Sequence, residues 1–130
     1  MIFVDTNYFL RFLLNDQDTQ HHTAKNLFHK AAEGKVELVT SLIVFFEIFW
    51  VLESFYEKNK EDLIQTLKGI LDMEFVKLEE RNLLYKTLTL YEKGADLEDA
   101  YHLTYAQHIQ AKELATFDKK MQQLWLKPIF

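Results

Sequence analysis

Short apolar segments alternate with longer amphipathic segments along the chain, and this alternation predicts a parallel α/β fold. Residues 2–4, 36–39 and 114–117 are short and β-prone, and 75–76 is a weaker example. The first of these segments is typical of a buried strand, and residues 127–130 are a candidate edge strand. Such strands separated by helices indicate a parallel sheet that is covered on both faces.

Amphipathic segments occupy the stretches between these strands and predict helices. Apolar residues recur at helical spacing in residues 24–31, 63–71 and 84–91, which gives each segment one buried face. Gly34 and Gly94 follow two of these segments, and glycine at that position commonly ends a helix. Further helices are predicted over residues 8–14, 42–56 and 97–110 and from Asp118 onward.

Glu47 is the exception in a segment that is otherwise apolar. Ten of the eleven residues 42–52 are apolar, which predicts a helix buried on all sides. A carboxylate buried there without a partner would cost several kcal/mol or take up a proton. We therefore expect a buried cation, a metal ion or an opening to water beside Glu47. A salt bridge or a position at the solvent-exposed edge of the helix is the alternative explanation.

Four aspartates lie at the ends of strands or the beginnings of helices. Asp5 and Asp118 each follow a predicted strand, and ligands of parallel sheets bind beyond that end. An N-cap role in the next helix explains each of them as well. Asp96 is the expected N-cap of the helix over 97–110, in a pattern like a capping box, and Asp99 lies in its first turn.

Convergence of these acidic side chains is chemically reasonable only around a hard cation, because the carboxylates would otherwise repel one another. Mg²⁺ and Mn²⁺ prefer oxygen ligands, and two such ions can stabilise the attacking and leaving oxygens of phosphodiester hydrolysis. The five histidines form no metal-binding pattern, and we expect packed or surface positions for them; the alternative for His102, one turn after Asp99, is a contact with such a site. The four carboxylates concerned are Asp5, Glu47, Asp99 and Asp118.

Composition restricts the class of protein further. The chain has 130 residues, a size typical of one domain, and its 3 glycines and 1 proline favour a helix-rich fold. The absence of cysteine excludes disulfides, thiolate metal sites and a cysteine nucleophile. No signal-peptide pattern is present, and the apolar run 42–52 is shorter than the roughly 20 residues that span a membrane. We expect a cytoplasmic protein that does not bind a membrane.

Net charge argues against non-specific nucleic-acid binding. The formal charge is -5, whereas proteins held by phosphate contacts are usually basic. A role on nucleic acid must therefore depend on a local site. The candidate local patch is a cluster of lysines near the carboxyl end, at Lys112, Lys119, Lys120 and Lys127.

Four motifs, in order and spacing, resemble those of the PIN-domain family, in particular the VapC-type toxin ribonucleases. They are Val4-Asp5-Thr6-Asn7, the apolar stretch 44–52 with Glu47, the stretch 95–103 with Asp96 and Asp99, and Thr116-Phe117-Asp118. Each motif is weak alone, but the ordered set is fairly specific and covers nearly the whole chain. The low basicity departs from what an RNA-binding protein usually shows.

The resemblance implies a single PIN-like domain over residues 1–130, a three-layer α/β/α sandwich around a mainly parallel sheet. It implies that Mg²⁺ or Mn²⁺ is bound by Asp5, Glu47, Asp99 and Asp118, with Asp96 as a possible fifth ligand and Thr6, Asn7 and Thr116 as polar support. The implied reaction is endonucleolytic cleavage of RNA by a metal-activated water, leaving a 5′-phosphate and a 3′-hydroxyl. The implied partners are a second copy of the chain and a cognate antitoxin.

Apolar surface independently predicts a homodimer. The side chains of residues 45–55, together with the stripe Leu63, Leu67 and Ile70, exceed what one small core requires. Two other functions stay open: an RNA-processing nuclease without an antitoxin, and a non-catalytic helical binding protein whose carboxylates are caps and surface charges. A neighbouring gene for a small antitoxin distinguishes the first alternative, and a metal-binding titration distinguishes the second.

Overall fold

The structure, a computed structural model, describes residues 1–127 and divides the chain into two compact units, Met1–Glu79 and Glu80–Phe130. The first unit contains β1 (Ile2–Phe3), α1 (Thr6–Leu14), α2 (Asp18–Ala32), β2 (Leu38–Thr40), α3 (Leu42–Ser54), α4 (Lys60–Leu71) and β3 (Val76–Leu78). The second contains α5 (Arg81–Glu92), α6 (Leu97–His108) and α7 (Lys119–Trp125). No helix among residues 1–127 has the length and hydropathy needed to cross a bilayer.

The three strands of the first unit form one parallel sheet in the order β1-β2-β3. Ile2 pairs with Leu38, and Leu38 pairs with Val76. Parallel neighbours need a crossover connection, and the pairs α1–α2 and α3–α4 supply the two crossovers. The predicted α/β class and the parallel sheet are therefore confirmed. The prediction of a buried first strand is wrong, because Ile2 and Phe3 are exposed at the edge of this sheet and only Val4 is buried.

The core of the first unit is formed by aromatic and aliphatic side chains from its helices. The rings of Phe9 and Phe28 lie 5.3 Å apart between α1 and α2, and Phe45 and Ile48 of α3 are fully buried. The stripe Leu63, Leu67 and Ile70 of α4 is also buried within the chain. The expectation that this stripe contributes to a dimer interface is wrong, since its side chains already serve the core.

Local signals account for where the helices begin and end. The Ser41 hydroxyl accepts a hydrogen bond from the Val44 amide at 3.4 Å, which caps α3. Gly34 and Gly94 follow α2 and α5 with φ of 80° and 115°. Residues that carry a side chain rarely adopt positive φ values, so a glycine at these positions favours the end of the helix.

The second unit packs α6 and α7 around a small apolar cluster that includes Leu103 and Met121. Tyr101 of α6 donates a hydrogen bond to Glu80 Oε2 at 2.8 Å. Burial and this bond raise the pKa of the Tyr101 phenol, which therefore stays a donor.

The predicted strand over residues 114–117 does not form. Its polar groups are satisfied locally: the Thr116 hydroxyl accepts from the Asp118 amide at 3.1 Å, and Gln122 donates to the Thr116 carbonyl at 2.7 Å. These bonds shape a turn into α7 in place of strand pairing. Of the predicted edge strand over 127–130, residues 128–130 lie outside the described part of the chain, and Lys127 is not in a strand.

Candidate active site

Glu47 lies on an exposed face of α3. Ile43, Glu47 and Trp50 are spaced by four and three residues, so they share this face, and all three are exposed. Val44 and Ile48 lie on the opposite, buried face. The prediction that α3 is buried on all sides is therefore wrong. The structure supports the alternative explanation, in which Glu47 occupies the solvent-exposed edge of the helix.

Thr6 is the hydrogen-bond partner of Glu47. Its hydroxyl donates to Glu47 Oε1 at 3.1 Å, which joins the first residue of α1 to the middle of α3. Within residues 1–127, Glu47 forms no ion pair, so a salt bridge does not explain it. The bond occupies one carboxylate oxygen and leaves Oε2 for another partner.

Asp5 acts as the N-cap of α1. Its Oδ1 accepts a hydrogen bond from the Tyr8 amide at 3.3 Å, as the capping alternative required. Capping uses one oxygen, and the exposed position of Asp5 leaves Oδ2 open to solvent. The structural role and a ligand role are therefore compatible.

An open groove of ≈ 410 Å³ lies beside Asp5 in the first unit. One wall is formed by residues on one face of α1. The other wall is formed by α2, whose lining residues follow Gln20 by three and four positions. The lining side chains are Asp5, Asn7, Tyr8, Arg11, Gln20, Thr23 and Ala24. Asn7, predicted as polar support, is thus exposed next to Asp5.

Negative charge concentrates around Asp99 in the second unit. Partial burial of this carboxyl, followed by the charges of Asp118 and Asp96, raises the pKa of Asp99, and His102 opposes the rise. Asp118 and Asp96 are therefore close enough to Asp99 to interact with it electrostatically. His102 is exposed, in agreement with the prediction of a packed or surface histidine, and its charge lowers the pKa of Asp99.

Asp96 and Asp118 occupy two helix beginnings with different hydrogen bonds. Asp118 Oδ1 accepts from the Met121 amide at 3.0 Å and caps α7, while its own amide donates to Thr116. Asp96 is the N-cap residue of α6 by position, but its side chain makes no capping bond. The predicted capping box is therefore wrong, and the Asp96 carboxylate is not committed to the helix end.

The four lysines of the predicted patch, Lys112, Lys119, Lys120 and Lys127, are all exposed. Lys120 Nζ donates to the Gly94 carbonyl at 2.7 Å. An ammonium has three N–H donors, so this bond leaves Lys120 with donors for a phosphate.

The structure brings together two partial sets of the predicted residues. In the first unit Thr6 contacts Glu47, and Asp5 and Asn7 line one groove; in the second, Asp99 interacts with Asp96 and Asp118. No group of three or more acidic or histidine side chains within residues 1–127 is gathered closely enough to hold a metal ion. The donors nevertheless fit a hard cation chemically, because they are carboxylates and because a cation would relieve the repulsion around Asp99.

Sequence reasoning missed the groove residues Tyr8, Arg11 and Gln20. The available signal was spacing: Asn7 and Arg11 are one helical turn apart and follow directly from Asp5. The facing residues of α2 gave no such signal, because their approach to α1 depends on tertiary packing.

The chain belongs to the PIN-domain family, since the PIN domain model matches residues 2–124 and so extends through both units. It is similar to a VapC ribonuclease of Aquifex aeolicus (strain VF5), with 24% identity over 131 residues that cover 99% of this chain and 96% of the relative. No solved structure was found to match. The family and the PIN-like α/β fold that the four motifs predicted are confirmed.

Proposed function

We propose that this protein is a metal-dependent endoribonuclease and the toxin of a type II toxin–antitoxin pair. The single observation that carries the proposal is the PIN-domain match over residues 2–124, which includes every predicted site residue in both units. The similarity to a VapC ribonuclease of nearly the same length supports a toxin over an RNA-processing nuclease.

The proposed metal ligands are Asp5, Glu47, Asp99 and Asp118, with Asp96 as a further candidate. When bound by these carboxylates, Mg²⁺ or Mn²⁺ would supply positive charge at the scissile phosphate and would lower the pKa of the attacking water. The products are a 5′-phosphate and a 3′-hydroxyl.

Hydrogen bonds within the chain restrain the orientation of three of these carboxylates. Asp5 is held by the Tyr8 amide, Glu47 by the Thr6 hydroxyl and Asp118 by the Met121 amide. Each bond restrains one oxygen and leaves the second free, so less conformational freedom is lost when a carboxylate binds a cation.

Asp99 contributes in a different way. Partial burial, followed by the neighbouring charges of Asp118 and Asp96, raises the pKa of Asp99. Repulsion stored in the second unit therefore favours cation binding. The uncommitted side chain of Asp96 supports its candidacy as a ligand over a purely capping role.

The proposed partners are RNA, a cognate antitoxin and a second copy of the chain, all in the cytoplasm. With the α4 stripe assigned to the core, the dimer surface reduces to the exposed end of α3. Phe55 is 81% exposed there, with Trp50 and Tyr56 also accessible. Exposed aromatic side chains of this kind are enriched at protein interfaces.

Cleavage of labelled RNA with and without Mg²⁺ or Mn²⁺ tests the proposal. The control variant is Asp5→Asn, because asparagine caps a helix as well as aspartate does and the fold should be retained. We expect metal-dependent cleavage by the parent protein and none above background by the variant. Equal cleavage by both proteins, or cleavage unaffected by EDTA, contradicts the proposal.

The antitoxin is tested separately. A small protein encoded beside this gene should co-purify with the chain and suppress its RNA cleavage. Cleavage that persists in the presence of every adjacent small gene product supports an RNA-processing nuclease instead.

A further inference from the structure

The groove between α1 and α2 has features that the proposed metal site does not use. It opens beside Asp5, has a volume of ≈ 410 Å³ and lies wholly within the first unit. Its lining is polar where it faces solvent: Asn7, Gln20 and Thr23 are exposed. Such a lining suits a polar ligand that is bound next to Asp5.

Arg11 supplies the positive charge of this groove and is one of only two arginines in the sequence. Its side chain is 23% exposed, and its Nη1 contacts Asp16 Oδ1 at 2.9 Å. Asp16 is itself held, because its Oδ2 accepts from the Tyr56 hydroxyl at 3.1 Å. A guanidinium has five N–H donors, so this ion pair leaves donors for a phosphate while it restrains the side chain.

Tyr8 supplies an aromatic surface in the same groove. It is 39% exposed, and only its backbone amide is committed to Asp5. With a helical rise of 1.5 Å per residue, Arg11 lies roughly 9 Å along the α1 axis from Asp5, and Tyr8 lies between them. A cation, an exposed aromatic ring and side-chain amides in one groove match the phosphate, base and base edge of a nucleotide.

We propose that this groove binds the RNA nucleotide adjacent to the scissile phosphodiester, with Arg11 on its phosphate and Tyr8 stacked on its base. The inference rests on the proposed ribonuclease function and adds the subsite that positions the substrate. An acidic peptide would satisfy Arg11 but has no use for the Tyr8 ring, so the combination favours RNA.

Binding of a fluorescent single-stranded RNA in EDTA tests the charge contact without cleavage. We expect Arg11→Gln to raise the Kd by about tenfold and to lower the slope of log affinity against log salt by about 0.7, the loss of one phosphate contact. Asp16→Asn is the matched control, since it breaks the same ion pair but keeps the arginine. It should bind RNA at least as tightly as the parent protein.

A merely structural role of Arg11 predicts a different result. Both variants would then lose similar thermal stability, and their RNA affinity and salt slope would equal those of the parent protein. Under cleavage conditions we expect Arg11→Gln to raise KM more than it lowers kcat, with Arg11→Lys between it and the parent. A parent that cleaves RNA while Arg11→Gln and Arg11→Lys both match its KM overturns the subsite alone.

A pair of variants tests whether the Tyr8 ring stacks on a base of the RNA. Tyr8→Ala should weaken RNA binding by about tenfold, as expected for one lost stacking contact, and Tyr8→Phe should restore it because the ring remains. Equal affinity of the alanine variant and the parent contradicts the stacking role. Displacement of RNA by an acidic peptide that needs Arg11 but not Tyr8 assigns the groove to a protein partner. A parent that neither binds nor cleaves RNA overturns the proposed function together with this inference.

Discussion

The Thr6 hydroxyl donates a hydrogen bond to Glu47 Oε1 at 3.1 Å, although the two residues are 41 positions apart in the sequence. Thr6 begins α1 shortly after β1, and Glu47 lies in the helix that follows β2. Since β1 and β2 are parallel neighbours, the elements after their carboxyl ends emerge at the same edge of the sheet. The contact therefore joins two of the predicted site residues at the edge where α/β proteins bind ligands.

Thr6→Val tests the importance of this contact. Valine keeps the shape of the side chain but cannot donate, so Glu47 loses its restraint. We expect RNA cleavage to fall by about tenfold, equivalent to about 1.4 kcal/mol of barrier, with a stability loss of no more than about 1 kcal/mol. Thr6→Ser should retain the parent rate, and a valine variant as active as serine contradicts a role for the bond.

Asp99→Asn tests the electrostatics of the second unit without metal. The pKa of Asp99 is raised in the folded protein, so its contribution to stability is present at low pH and lost as pH rises through that raised pKa. In EDTA at pH 7 the asparagine variant should be more stable than the parent, by less than about 1 kcal/mol because the charges are partly screened. This difference in stability should shrink as the pH falls toward 3.8, the pKa of aspartate in the unfolded chain. Urea denaturation at several pH values measures it.

Metal binding should raise the melting temperature, because an ion that binds only the folded state stabilises it by mass action. At 100 times the Kd the gain is about 2.7 kcal/mol. Asp118→Asn should lose most of this response while keeping its cap on α7, since asparagine also caps helices. A melting curve of the folded parent that does not change at millimolar Mg²⁺ or Mn²⁺ contradicts a shared metal site.

Phe55→Ser tests the dimer. The ring is 81% exposed in the single chain, so its loss should leave the fold intact. Light scattering should give a dimer for the parent at micromolar concentration and a monomer for the variant. A parent that is monomeric under these conditions excludes the proposed homodimer.

Local chemistry made much of the fold predictable. Asp5 and Ser41 are capping residues at the beginnings of α1 and α3, and Gly34 and Gly94 mark the ends of α2 and α5. These signals depend on neighbours a few residues away, which the sequence displays directly.

The environment of a side chain could not be predicted from the sequence where it depends on tertiary packing. Ile43 and Trp50 are apolar yet exposed, so the segment around Glu47 appeared to be buried on all sides. Residues 114–117 have strand-like composition, but Thr116 and Gln122 form a turn there. Arg11 lines a groove because α2 lies against α1, and the sequence does not display this packing.

Glu47→Gln, assayed for RNA cleavage and for metal-free stability in the same preparation, tests the central claim most directly. Glutamine keeps the volume and the oxygen that accepts from Thr6 but removes the charge that would bind a cation. We predict stability equal to that of the metal-free parent and a loss of cleavage by about 10²–10³-fold, the range typical of removing one group that stabilises a transition state. A variant that cleaves RNA at the parent rate would show that Glu47 is not a metal ligand and would contradict the account.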